Sequence, residues 1–311
     1  MTSILRYAAR VTGRVARTGG RRVANQKPAV ALVGAGRLAN FLAPALRAAG
    51  HGISEIVSRE GVSSMKRARR LARRVGSRAV RLEDASLDTD LIWFAVPDGE
   101  IRRAAEAVAR RLKSLPGSRP RLAFHSSGAV GSRELEALRK LGVAVASVHP
   151  LMTFVGGARP ALAGVPFAVE GDAPAVRAAR TIVHRLGAKS FVLAASRKPA
   201  YHAWATMTSP LLVAYLVAME KAAAAAGLTR TEARRMSLPI VRQTFENYAR
   251  LGPGNAFSGP FIRGDAETVA RHLKLLKRNP QTRAVYTALA RVALDGLPVK
   301  NRKELLRLLR D

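Results

Sequence analysis

The sequence predicts an α/β protein in which a doubly wound parallel sheet is followed by an all-α C-terminal domain. Three observations carry this reading. From Pro28 onward, short runs rich in Val, Ile and Ala alternate with longer amphipathic stretches, the pattern of strand–helix–strand units. The first of these runs feeds directly into a glycine-rich turn and then an apolar-faced helix. After Arg197 the alternation stops and helix follows helix.

In chain order, strands are expected at Ala29–Val33, Ile53–Val57, Leu91–Val96, Leu122–His125, Val143–Val148, Pro166–Glu170 and Phe191–Leu193, with a short one near Ala79–Val80. Leu38–Ala49 and Ile101–Leu112 read as helices. Met65, Ala68, Leu71, Ala72 and Val75 recur at helical spacing, which turns Lys66, Arg67, Arg69, Arg70, Arg73 and Arg74 outward as a solvated face. Beyond the switch, helices are expected over Ala200–Gly227, Thr231–Leu251, Asp265–Leu276 and Gln281–Leu294, punctuated by Gly227, Gly252-Pro253-Gly254, Asn279-Pro280 and Gly296. The expected organisation is a basic mobile tail (1–27), an α/β domain (28–196) and an all-α domain (197–311). The tail could equally reflect a start codon placed too early.

Composition narrows the function classes. At 48% hydrophobic and 24% charged residues, the 311-residue chain can bury a sizeable core. The absence of cysteine excludes disulfides, a thiolate nucleophile and any Cys-ligated metal. The six histidines never pair at helical ligand spacing, so no metal site is expected. The formal charge is +32, from 42 arginines and 11 lysines against 21 acids, and it is spread along the chain. Such a charge keeps nucleic acid and anionic substrates in view, although 5% aromatics offer little for base stacking. The N-terminal stretch lacks the apolar centre of a secretory signal. The best apolar segment, Leu211–Met219, is about half a bilayer span, so a soluble, cytoplasmic protein is expected.

The chemistry-bearing motifs lie at expected strand ends. Gly34-Ala35-Gly36-Arg37-Leu38-Ala39 is a Gly-x-Gly-x-x-Ala turn, the fingerprint of a Rossmann dinucleotide site. In it Gly34 permits the tight turn, Gly36 admits a pyrophosphate and Ala39 allows close helix packing. The next strand ends in Ser58-Arg59, with Glu60 one residue too late to take a ribose hydroxyl pair. Arginine there accommodates a 2′-phosphate, and Arg37 adds a cation, so NADP(H) is the expected cofactor. Val96-Pro97, Ser126, Ser127 and Gly128 end the following strands on the same edge. His149 ends another, where an imidazole can serve as acid or base or equally satisfy backbone groups, while His125 reads rather as a histidine satisfying backbone groups.

These motifs occur in a specific order: residues 33–39, Phe94-Ala95-Val96-Pro97-Asp98, residues 125–129, residues 148–154, residues 164–171, Tyr201-His202-Ala203 and residues 258–273. In that order the chain, from about Pro28 to Leu294, resembles the Rossmann-like proteins whose C-terminal helical domain is catalogued as a domain of unknown function. That family is related to pyrroline-5-carboxylate reductase, prephenate dehydrogenase and the 3-hydroxyacid dehydrogenases. The resemblance implies an NADP-dependent oxidoreductase of unassigned substrate, dimeric through its helical domain. His149-Pro150 is similar to the His-Pro element of prephenate dehydrogenases, whose histidine assists hydride transfer. Tyr201-His202 opens the first helix of the second domain, where such families face the cleft, making His202 the second candidate acid or base. Ser209 matches a family serine often followed by asparagine; here Pro210 follows. The lysine of the hydroxyacid dehydrogenases has no match, since Lys198 falls too early and Lys221 reads as exposed.

The expected activity is hydride transfer between NADPH and a C=O or C=N carbon of a small anionic metabolite, with Gly128 and Arg263 as substrate contacts. Arg263 reads equally as an exposed arginine ahead of a helix capped by Asp265. Two other readings stay open: a redox-silent dinucleotide sensor and a nucleic-acid-associated basic protein. The segment 210–219 is hydrophobic almost all round, so it is expected to be buried on every side, through a homodimer formed around residues 200–295.

Overall fold

The computed structural model describes residues 27–59, 61–117, 120–156 and 161–310. The tail up to residue 26 and Glu60 lie outside them. The chain divides into two compact units, one ending at Pro199 and one beginning at Ala200.

The first unit follows the order β1 (Val30–Val33), α1 (Arg37–Ala48), β2 (Ile53–Ser58), α2 (Val62–Val75), β3 (Arg78–Arg81), β4 (Leu91–Phe94), α3 (Ile101–Lys113), β5 (Leu122–His125), α4 (Glu136–Arg139), β6 (Ala144–Pro150), β7 (Pro166–Gly171), α5 (Ala173–Arg185) and β8 (Lys189–Val192). One sheet joins all eight strands in the order β3-β2-β1-β4-β5-β6-β7-β8. The chain winds outward from β1 in both directions, so the ends of β1 and β4 mark the switch point where ligands bind in such sheets. Apolar residues occupy both faces, as a covered parallel sheet requires. On one face Leu32, Trp93, Phe124 and Val148 pack with Leu42, Leu71 and Ile182 of α1, α2 and α5. On the other, Ile92, Phe94, Ala123 and Val145 pack with Ile101, Val108 and Leu138 of α3 and α4. Each fully buried Leu, Ile or Phe stabilises by about 1.5–3 kcal/mol.

The parallel sheet expected from the sequence needs one amendment. β7 runs antiparallel to β6, with His149 opposite Ala168 and Val148 opposite Val169. No helix is assigned between these strands among the described residues, and an antiparallel return needs no crossover. The outer face of α2 is basic as expected: Ala68, Leu71, Ala72 and Val75 are buried and its arginines are exposed.

α6 (Lys198–Thr208) starts in the first unit and runs into the second. There follow α7 (Pro210–Ala223), α8 (Arg230–Ala256), α9 (Pro260–Arg263), α10 (Ala266–Leu276), α11 (Pro280–Gly296) and α12 (Arg302–Leu308). A capping box of Thr229 and Glu232 starts α8, and Gly252, at φ 74°, kinks it before Pro253. Val269, Leu273, Leu294 and Leu305 form a small core among α10, α11 and α12.

One expectation for this region is corrected. The apolar segment is not limited to nine residues: within the 32-residue helical stretch Ala195–Ala226, an 18-residue window reaches a mean hydropathy of 1.3, long and apolar enough for a membrane span by length and composition alone. It is broken at Ser209 (φ −127°, ψ −71°), and its early residue Lys198 is buried in the sheet unit. Within the single chain, α7 is exposed along much of its length. Glu220 is its buried residue, receiving two hydrogen bonds from the Arg234 guanidinium at 2.6 and 3.0 Å, while Leu211, Val213 and Tyr215 are exposed. Trp204 on α6 is 53% exposed, its ring tilted against Tyr201.

Candidate functional site

The site begins at the turn between β1 and α1. Gly34 has φ +105°, and a Cβ there would stand 2.6 Å from the Ala95 carbonyl oxygen, so only glycine fits. Gly36 is exposed and precedes the first residue of α1; a Cβ on it would meet no atom closer than 3.7 Å. No side chain caps this helix and its first turn carries no acid. Its first amide N–H groups therefore face an open approach, which suits a pyrophosphate. Arg37 is exposed beside them, Ala35 and Leu38 are half-buried, and Ala39 is fully buried where the helix meets the sheet.

Next to this turn lies a cleft of about 620 Å³, lined by Val33, Ser58, Arg59 and Val96 together with Ser64, Arg81, Arg103, Arg110 and Arg111; Glu83 and Glu100 also line it, and Glu83 pairs with Arg81 at 3.3 Å. The Ser58 hydroxyl donates to the Arg59 carbonyl at 2.9 Å, and the Arg59 side chain is exposed. Two expected residues at the β2 tip thus meet further cations that sequence reading missed. The residues present fit a dinucleotide carrying a third phosphate: an open helix N-terminus, then a cleft rich in guanidinium groups.

At the ends of β4 and β5 the chain builds a tightly bonded loop. Pro97 is exposed and leads into a short 3₁₀ turn (Asp98–Glu100). The buried Trp93 indole N–H donates to Ser126 Oγ at 2.8 Å. Ser127 is a hub. Its N–H donates to His125 Nδ1 (3.1 Å), and its Oγ accepts from the N–H groups of Ala129 and Val130 (both 3.1 Å). Its carbonyl accepts from Ser147 Oγ and from Lys198 Nζ, both at 3.0 Å. Lys198 Nζ also donates to Ser147 Oγ at 2.7 Å. Gly128, next in the loop, is buried.

His125 is buried and fully engaged. Because Nδ1 accepts, Nε2 carries the proton and donates to the Gly131 carbonyl at 3.0 Å. Burial pulls its pKa down to about 4, overriding the Gly131 bond; the Lys198 charge lowers it further. Burial also pulls the Lys198 ammonium down to about 8, against Glu170 and Asp98, whose carboxylates favour its charge. Glu170 is held by the N–H and hydroxyl of Ser132 at 2.8 and 2.7 Å. Lys198, set aside on sequence spacing, is therefore part of this network, and it is 2% exposed.

His149 is half-buried on β6 and shares the pleat of His125 and Ser147. The other candidates belong to the second unit. His202 is half-buried on α6, and its carbonyl accepts from Thr206 Oγ1 at 2.8 Å. Ser209 precedes α7 without capping it by a side-chain bond. Arg263 is exposed at the end of α9, and Asp265 caps α10 through a bond from the Thr268 N–H at 3.0 Å.

This fold and turn define a Rossmann-like protein, and residues 16–150 match the family model of a Rossmann-like domain. Residues 165–293 match DUF2520, a domain of unknown function. The chain belongs to the Rossmann-like proteins that carry a DUF2520 C-terminal domain. A comparison with curated proteins returns no sequence match. Among solved structures, it is similar to a Bacteroides fragilis protein described provisionally as an NADP oxidoreductase: 20% identity, TM-score 0.69, covering 86% of this chain and 98% of that one. An imine reductase from Myxococcus stipitatus in complex with NADP+ is 14% identical, with TM-score 0.61 and coverage of 86% and 94%. A pyrroline-5-carboxylate reductase from Coxiella burnetii is 13% identical, with TM-score 0.56 and coverage of 85% and 98%. At these identities the likeness is one of fold.

Proposed function

We propose that the protein is a cytoplasmic NADP-dependent oxidoreductase that transfers a hydride between NADPH and a C=N or C=O carbon of a small anionic metabolite. The observation that carries this is the Gly34–Gly36 turn, which opens onto an uncapped helix N-terminus beside an arginine-lined cleft. The reductases similar in fold support the reaction class, and two of them are named for substrates with a C=N bond.

In this reading the amides from Gly36 to Ala39 hold the pyrophosphate, with Gly34, Ala35 and Leu38 shaping the turn. Arg37, Ser58 and Arg59 take the 2′-phosphate, together with Arg81. When bound, the cofactor supplies the hydride. Val96, Pro97, Ser126 and Ser127 bound the nicotinamide end. His149 holds the proton for the substrate heteroatom, with His202 as the alternative donor, while Ser209, Gly128 and Arg263 orient the substrate. His125 is left out of this role, because both its ring nitrogens are committed.

Titration with both reduced dinucleotides tests the reading. NADPH should bind at least tenfold more tightly than NADH, a difference of about 1.4 kcal/mol, and a panel of cyclic imines and keto acids should contain a substrate that oxidises it. Equal binding, or none, removes the assignment. With a substrate in hand, His149→Gln should lower kcat by about two orders of magnitude or more; unchanged turnover in both His149→Gln and His202→Gln would reject the proton-transfer scheme.

A further inference from the structure

We propose that Lys198 is a positioning residue for the nicotinamide end of this site, holding through the Ser127 carbonyl the loop 126–130 on which that ring would rest. The proposal rests on the dinucleotide reading above.

A buried ammonium is an expensive way to fill space. Lys198 is 2% exposed, and among the described residues no carboxylate lies within ion-pair distance of it. Its two hydrogen bonds go to uncharged oxygens, Ser127 O and Ser147 Oγ. Removing a charge from water costs several kcal/mol, and an apolar side chain of similar volume would serve stability as well or better. Stability therefore does not explain the lysine.

The geometry offers another explanation. Lys198, Ser147 and Ser127 form a closed triangle of contacts at 2.7, 3.0 and 3.0 Å. One corner is the carbonyl of the residue whose amide and hydroxyl organise the rest of the loop, from His125 to Val130. Lys198 makes the charged bond in that set, so it is the strongest tether on the loop. The loop leaves β5, which neighbours β4, which neighbours β1 and its glycine turn. A dinucleotide with its pyrophosphate at the β1 turn extends across these strand ends in the direction of the loop. The adenine end lies the other way, in the cleft at the β2 tip.

Lys198 should thus matter for one half of the cofactor. The titratable groups around it are His125 on β5, Glu170 on β7 and Asp98 after β4. His125 is neutral above pH 6, so the proton that comes and goes near pH 8 belongs to the lysine.

The test compares NADPH with 2′,5′-ADP, which carries the adenine and 2′-phosphate but no nicotinamide, by calorimetric titration of the full-length wild type and of Lys198→Met and Lys198→Arg. Lys198→Met should lose about tenfold or more in NADPH affinity, the scale of one charged hydrogen bond. It should bind 2′,5′-ADP within about twofold of wild type and melt no lower, and Lys198→Arg should restore part of the NADPH affinity. From pH 7 to 9 the preference of the wild type for NADPH over 2′,5′-ADP should shrink, whereas that of Lys198→Met should stay flat. If Lys198→Met binds both ligands as the wild type does, the positioning role is wrong. Equal losses for both ligands with a lower melting temperature would make the lysine merely structural and overturn the proposal too. A wild type that binds neither ligand overturns the dinucleotide reading itself, a separate outcome.

Discussion

His125 is held neutral by its surroundings, and this has a cost in acid. Its folded pKa, about 4, lies below the usual value of 6.5, so the unfolded chain takes up a proton between those values while the folded protein does not. The contribution of His125 to stability is complete above pH 6.5 and is lost as pH falls toward 4, by about 3 kcal/mol. Urea unfolding from pH 7 to 4 should show this slope, and His125→Gln should flatten it while lowering stability at pH 7. Reading the sequence placed this histidine correctly, because a His at a strand end followed by Ser-Ser-Gly has backbone groups to satisfy. Lys198 was illegible for a related reason. It sits beside Arg197 in a polar stretch at the domain switch, and neither spacing nor composition separates a lysine that turns inward from one that turns out. The cleft cations Arg81, Arg103, Arg110 and Arg111 were hidden by number: with 42 arginines in the chain, four more on β3 and α3 carry no signal.

At the scale of elements, what sequence reading found were the features with strong periodicity. The short Val/Ile runs became β1, β2, β4, β5, β6 and β7 within a few residues, and the faint Ala79–Val80 run became β3. The antiparallel return of β7 was not visible, since direction depends on where the connection goes and a strand reads alike both ways. The helices α4, α5, α9 and α12 were missed: α4, α9 and α12 are one or two turns with too little periodicity to register, and the 13-residue α5, Ala- and Arg-rich between β7 and β8, was passed over although its length would have allowed it to be read. The glycine turn was legible because its constraint is local: the positive φ of Gly34 and the closeness of the Ala95 carbonyl demand the residue that the motif supplies. Gly34→Ala should therefore cost about 1–3 kcal/mol in unfolding free energy. It should also weaken NADPH binding through the displaced N-terminus of α1, with both effects read by denaturant titration in the presence and absence of the dinucleotide. An alanine variant as stable as wild type would mean that the turn relaxes without strain.

For the whole molecule, the open question is what covers the second unit. Val213 on α7, Met236 and Ile240 on α8 and Val292 on α11 are each more than half exposed. Exposed apolar area of this kind marks an interaction surface, and two-fold homo-oligomers are the commonest outcome for a single chain. We propose that a second copy covers these helices. Light scattering at micromolar concentration should give twice the chain mass of 33.4 kDa. Ile240→Glu should shift the population toward monomer, through a charge buried without a partner. A monomeric wild type would leave the apolar faces, and the 32-residue stretch through α6 and α7, to some other partner.

The two tryptophans fall one to each unit, and this gives the molecule a pair of independent optical reporters. Trp93 is sealed in the sheet, edge-on to Phe124, with its indole N–H on the loop that Lys198 tethers; its emission should be blue and insensitive to added quencher. Trp204 faces solvent on α6, so it should emit to the red and respond to iodide. Ligand arriving at the strand ends should therefore change the first signal, and association of the helical units should change the second. Two events that share one chain can in this way be followed separately in a single cuvette, without a label.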